Sequence, residues 1–165
     1  MRASDNRQST KHRIMDYRPT TNELTETIEP LLASGRRVNM VVTGRSMLPF
    51  LRHETDSVTL LRLPSYRRFD IVLVRDNAGR CVMHRIISID DENVVLMGDG
   101  NLHMRERCRQ TDILGVAISR RRYRKKGDSY TIGNLRGRGA RFKARLWWWL
   151  RPLRPLLIKL FTSGK

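Results

Sequence analysis

Asp70-Ile71-Val72-Leu73-Val74-Arg75-Asp76-Asn77-Ala78-Gly79-Arg80-Cys81-Val82-Met83-His84-Arg85-Ile86-Ile87-Ser88-Ile89-Asp90 reads as two strands and the turn between them. β-Branched residues crowd both arms, as strands favour. Asp76 to Gly79 supplies turn residues that let an antiparallel hairpin reverse. In the second arm Val82, His84 and Ile86 share one face at a period of two. The same signal repeats on either side, and strands are expected at 38–43, 57–62, 70–75, 80–90, 93–97 and 113–119. Asp90 to Asn93 reads as another turn. Short strands joined by turns, with no helices between them, predict a mainly β fold: an antiparallel β-sheet or partly open barrel. A short N-terminal helix is expected over 22–34, with Asn22 as cap, Leu24, Ile28, Leu31 and Leu32 at helical spacing, and Gly35 as stop. Pro30 sits awkwardly inside it.

The chain has 165 residues, enough for one cored domain, and a net charge of +17. That charge is unevenly spread. From residue 120 onward there are 15 Lys/Arg against one acid, Asp128, a net of +14. Residues 1–20 are polar and read as disordered, 21–119 as the globular domain, and 120–140 as a basic, mobile linker. Residues 141–165 read as an amphipathic basic tail. Phe142, Leu146, Trp149, Leu150, Leu153, Leu157, Leu160 and Phe161 recur at the intervals of a C-terminal amphipathic helix, Arg141, Lys143, Arg145, Arg151, Arg154 and Lys159 fill much of the rest, and Pro152 and Pro155 should kink or divide it. No apolar run approaches the ~20 residues of a membrane span, and the first residues lack the apolar core of a signal peptide. A cytoplasmic protein, peripheral on the inner face of the cytoplasmic membrane, is therefore expected. Cys81 and Cys108 are too few for a disulfide scaffold and read as reduced thiols. No metal-ligand set or cofactor motif is apparent.

Two frames carry chemistry. Gly44-Arg45-Ser46-Met47-Leu48-Pro49 places a serine just after a strand, with glycine for close backbone approach and proline to stiffen the segment beyond it. Met47 offers an adaptable apolar wall. The second frame is His84-Arg85-Ile86-Ile87, followed by Gly98-Asp99-Gly100-Asn101. Serine needs a positioned base, and histidine is the side chain best matched to neutral pH. Asp70 and Asp56, each at a strand start, read as structural carboxylates that accept backbone N–H groups.

In order, Gly-x-Ser-Met-x-Pro, Phe69-Asp70-Ile71-Val72, His84-Arg85-Ile86-Ile87, Gly98-Asp99-Gly100-Asn101 and Asp112-Ile113-Leu114-Gly115 resemble the S24/S26 peptidases, the superfamily of signal peptidases and LexA-type self-cleaving proteins. The resemblance covers about residues 38–119. Tail included, the chain is similar to small Bacteroidetes peptidases of that class with a Ser/His site. It implies a serine endopeptidase of signal-peptidase-like fold, with Ser46 as nucleophile and His84 as general base. Bacterial signal peptidases carry lysine at the histidine position; endoplasmic-reticulum and archaeal types carry histidine, as here. In the endoplasmic-reticulum type a catalytic Asp lies six residues beyond the Asp of the Gly-Asp-Asn box, which here is Arg105. Asp99 is therefore taken as the third catalytic residue, with Glu106, or no acid at all, as the alternatives. Gly44, Met47 and Pro49 are expected around the oxyanion and substrate. Gly44 stands where many signal peptidases have a hydroxyl, so a backbone N–H must serve instead. Phe69 stands where glycine is usual.

The expected partners are a peptide or precursor-protein substrate, held as an added strand, and an anionic membrane surface bound through residues 141–162. The resemblance adds a preference for Ala or Gly near the cut. Alternatives are an inactive peptidase-fold binding module docked on a membrane, and a LexA-like self-cleaving regulator, for which residues 1–37 are too short and polar to hold a helix-turn-helix. Nucleic acid, gripped by Arg120 to Lys126, ranks below the membrane because the leucines of the tail have no use on it.

Overall fold

The computed structural model describes residues 24–76, 78–123 and 129–162. The expectations for residues 1–20, Asn22, Asn77 and 124–126 lie outside the described residues, as do those for the side chains of Lys159, Leu160 and Phe161. Among the described residues eight strands form: β1 (Val38–Val41), β2 (Asp56–Leu61), β3 (Ile71–Arg75), β4 (Cys81–Ile89), β5 (Asn93–Met97), β6 (Glu106–Arg109), β7 (Ile113–Tyr123) and β8 (Tyr130–Asn134). All pair antiparallel in one sheet, in the order β1-β2-β7-β3-β4-β5-β6, with β8 also on β7. The sheet curls into a half-barrel, so the protein is mainly β.

The β3–β4 hairpin has Val72 opposite His84. Asp76 closes its turn, with Oδ1 accepting the N–H groups of Ala78 and Arg80. At the next turn Asp90 accepts the N–H groups of Asn93 and Glu92. The Asn93 bond is the main cause that holds its carboxyl below the ordinary range. β3 is apolar from Ile71 to Val74 because both its faces are covered there. Ile71 and Leu73 join one core cluster with Leu32, Met40, Val58 and Leu60, while Val72 and Val74 join another with Ile86, Leu96 and Val116.

The N-terminal helix is a π-helical turn, Leu24–Ile28, that runs into α1 (Glu29–Ala33). Pro30 falls at the start of α1, where its missing N–H would have had no partner, so the proline is accommodated. Gly35, at φ +76°, stops the helix: its N–H bonds Leu32 C=O, and Arg36 N–H bonds Leu31 C=O. Ile28 and Leu32 bury the inner face of this segment.

The expected strands are present with ends shifted by at most two residues, except that β7 runs on to Tyr123. β6 and β8 were not expected. Much of the stretch read as a basic linker is therefore sheet, and the arginines explain why. Along β7 alternate side chains face inward. Arg122 donates from Nε and Nη2 to the two oxygens of Asp56, each at 2.7 Å. Arg120 Nη1 donates to Phe50 C=O at 2.8 Å. Between them Arg121 stacks its guanidinium over Tyr130. Arg136, just past β8, grips both oxygens of Asp70 at 3.0 and 2.7 Å. Asp56 and Asp70 also accept the N–H groups of Arg52 and Arg67, the structural role their positions suggest. Charge that looks solvated in sequence is here consumed by buried carboxylates.

The tail divides as its prolines require: α2 (Arg138–Trp149), a 3-10 turn (Arg151–Leu153) and α3 (Arg154–Thr162). It is not a free appendage. Ala144 and Trp147 are buried, and Trp147 Nε1 donates to Asp99 C=O at 2.9 Å. The Trp147 ring meets Phe50 edge-on, with centroids 6.0 Å apart. Arg154, only 2% exposed, returns Nε and Nη2 to Trp147 C=O and lies over the Trp147 and Trp148 rings. Burial pushes its guanidinium pKa down, and the Asp99 charge works against that. The opposite face of α2 is open: Phe142 is 67% exposed and Trp149 is 77% exposed. Among the described residues no helix is long and apolar enough to cross a membrane.

Candidate active site

Ser46 lies on the loop between β1 and β2. Its ends are stitched by Val42 N–H to Asp56 C=O and by Glu54 N–H to Val42 C=O. Gly44, at φ +83°, makes the reversal that leads into the serine. Met47 and Leu51 then sink into the core at 3% and 0% exposure, and Phe50 and Leu51 N–H both bond Met47 C=O. The Leu48–Pro49 peptide bond is cis.

Three groups from distant parts of the chain hold this loop in place. Arg120 and Arg122 both donate to Phe50 C=O. Trp147 abuts the Phe50 ring from one side, and the Arg85 guanidinium lies over it at 4.9 Å. The Gly98-Asp99-Gly100 loop presses on the serine itself. Gly100 N–H donates to Ser46 C=O at 2.7 Å. A Cβ on Gly98 would lie 2.6 Å from that carbonyl oxygen, and one on Gly100 would lie 3.0 Å from Arg45 C=O. Both glycines are therefore required by close backbone approach.

His84 comes from the middle of β4 and is 6% exposed. Its Nδ1 lies 2.9 Å from Glu106 Oε2. Glu106 opens β6, the strand that sequence periodicity did not reveal, and it sits opposite Leu96 of β5. With Nδ1–H donated to the carboxylate, Nε2 keeps its lone pair as a proton acceptor.

Asp99, expected to orient His84, is placed elsewhere. Arg85 Nε and Nη2 take its two oxygens at 2.7 Å each, and Arg85 Nη1 takes Phe69 C=O at 2.7 Å. The cause is strand alternation: Arg85 follows His84, so the two side chains leave opposite faces of β4. A buried guanidinium demands a two-pronged acceptor, and Asp99 supplies it. Phe69 itself takes φ +76°, the left-handed region that favours glycine, so the bulky residue there is held against its own backbone preference.

Ser46 and His84 line one cavity of about 160 Å³, walled by Met40, Val42, Met47, Leu73 and Met83. Met47 thus serves as both core and cavity wall. Gly44 and Pro49 shape the loop without lining the cavity. The Gly44 N–H is taken by His53 Nδ1 at 3.1 Å, so it is not offered to a substrate. The Ser46 N–H has no acceptor among the described residues. No cluster of three His, Cys, Asp or Glu side chains suited to a metal occurs among the described residues. Against known proteins, the chain matches no family model and no curated relative.

Proposed function

We propose that this protein is a serine endopeptidase of signal-peptidase-like type, with Ser46 as nucleophile, His84 as general base and Glu106 as the residue that positions His84. The observation that carries the reading is the shared cavity of Ser46 and His84, with the Glu106 carboxylate on Nδ1 of the imidazole. In this reading His84 Nε2 takes the proton of Ser46 Oγ as the oxygen attacks the scissile carbonyl carbon. The Ser46 N–H, free of other partners among the described residues, receives the developing oxyanion. His84 then delivers its proton to the leaving amine, and a water activated by the same imidazole releases the acyl group from Ser46.

The substrate is an extended segment of peptide or precursor protein. Among the described residues β1 is an edge of the sheet, and β5 pairs with β4 only from Arg85 onward, so residues 82–84 flank the cavity without a described strand on that side. A peptide added there gains main-chain hydrogen bonds while one side chain enters the apolar cavity. Its modest volume favours a small side chain such as Ala or Gly. The exposed Phe142, Leu146 and Trp149, set among arginines, favour an anionic membrane surface as the place of work.

The test is digestion of a degenerate peptide library by the purified full chain. Wild type cuts after small residues, while Ser46→Ala and His84→Ala do not. Cleavage that survives Ser46→Ala contradicts the assignment.

A further inference from the structure

On the face of α2 opposite Trp147 lies a second, larger cavity of about 630 Å³. Among the described residues four arginines line it, Arg68, Arg138, Arg141 and Arg145, and no carboxylate does. Phe69 and Trp148 form part of its wall, with the exposed Phe142 and Trp149 at α2. The three helix arginines succeed one another at spacings of three and four, so they share a face and repel. Arg138 is also the first residue of α2, and the first turn has no acid, so cations stand at the positive end of the helix dipole. The buried and half-buried Arg85, Arg120, Arg122 and Arg136 each have a carboxylate or a carbonyl; the exposed Arg138 and Arg145 and the half-buried Arg141 have no ion-pair partner among the described residues. An anion in the cavity would relieve both the mutual repulsion and the clash with the dipole.

We infer that this cavity binds the phosphate of an anionic phospholipid. Two features select a lipid over a soluble phosphate. Phe142, Leu146 and Trp149 continue along the same side of α2 and are 67%, 49% and 77% exposed, which leaves an apolar row beside the charged cavity for acyl chains. Leu153 and Leu156, at 50% and 65% exposure, extend the apolar surface beyond the helix. This deepens, and rests on, the membrane-surface part of the proposed function; it is independent of whether Ser46 turns over.

The experiment is co-flotation of the full chain with phosphatidylcholine vesicles, with and without about one-fifth phosphatidic acid. The comparison is Arg138→Gln/Arg141→Gln against Arg36→Gln/Arg37→Gln, which removes the same charge at exposed positions outside the cavity. Wild type is expected to float only with the acidic vesicles. The cavity pair should lose about tenfold or more in affinity and the control pair less than about threefold. Melting of each variant shows that it is folded. Equal losses for the two pairs would overturn the headgroup site and leave diffuse membrane attraction standing. Failure of wild type to float with either vesicle would overturn both. Binding of inorganic phosphate that is lost in the cavity pair, with flotation of that pair unchanged from wild type, would assign the cavity to free phosphate and overturn the lipid.

Discussion

Trp147→Ala should destabilise the protein by about 3–5 kcal/mol, the range for removing a large buried aromatic side chain. The structure gives three reasons for the size. Trp147 is 7% exposed, so nearly the whole side chain leaves a cavity behind. Its Nε1–H bond to Asp99 C=O, at 2.9 Å, is lost from a buried place, worth about 1 kcal/mol. Its edge contact with Phe50 and its stacking under Arg154 also go. For a chain of this length each kcal/mol moves the melting temperature by about 2–4 °C, so the midpoint should fall by roughly 6–20 °C. Trp149→Ala is the matched control. It lies on the same helix but is 77% exposed, and it should stay within about 0.5 kcal/mol of wild type. Differential scanning calorimetry at one pH and one salt concentration decides it. If Trp147→Ala melts with wild type, or the two tryptophans behave alike, the C-terminal helix is not part of the core and the account of how the serine loop is held fails.

The site and its surroundings carry the other expected outcomes. Glu106→Gln should lower kcat at least about tenfold, below the ~10⁴-fold ceiling of general base catalysis, with KM and melting little changed and partial rescue by Glu106→Asp. Asp99→Asn should instead lower stability by about 3–5 kcal/mol, because it strands the buried Arg85, and calorimetry against kinetics separates the two carboxylates. Gly98→Ala should cost about 1–3 kcal/mol and most of the cleavage, since its Cβ meets Ser46 C=O at 2.6 Å. Gly79→Ala, at φ +78° in open space, should cost only about 1 kcal/mol and spare cleavage; equal kinetics for the two would refute the close approach. Burial, aided by the charges of Asp112 and Glu106, pushes the Cys108 thiol up to about 11. Its alkylation by iodoacetamide should therefore climb about tenfold per pH unit through pH 9 and 10, and Glu106→Gln should bring the half-point down; a plateau near the ordinary thiol range of about 8.5 would contradict this.

The hairpin of residues 70–90 was legible because two independent signals, β-branched composition and the Asp76–Gly79 turn, agree. β6, β8 and the far half of β7 were not. β6, Glu106-Arg107-Cys108-Arg109, and the Arg120-Arg121-Arg122 end of β7 present charge where strand patterns present aliphatic side chains, and β8 lies inside a stretch whose basic composition reads as linker. What makes them strands is pairing with β5 and β7, a long-range fact that a local pattern does not carry. The same blindness affected the carboxylates. Spacing in the resembled family leads to Arg105, so Asp99 is taken in its place, but strand alternation puts Arg85 on the face away from His84, and Arg85 needs Asp99. The charge run at 120–122 reads as part of a mobile linker because its partners, Asp56 and the Phe50 carbonyl, lie more than sixty residues away. Trp147 falls outside the apolar stripe read from the sequence, which runs through Trp149 on the opposite face of α2, so its place in the core was hidden.

The central claim is that Ser46 makes new peptide ends. Comparative peptidomics of cells that produce the wild-type chain or Ser46→Ala, at equal abundance and with the C-terminal helices intact, tests it most directly. The expected result is a set of termini that share a small residue before the cut, present with wild type and missing with Ser46→Ala. Identical termini in the two, with both proteins folded and membrane-bound, would contradict the claim.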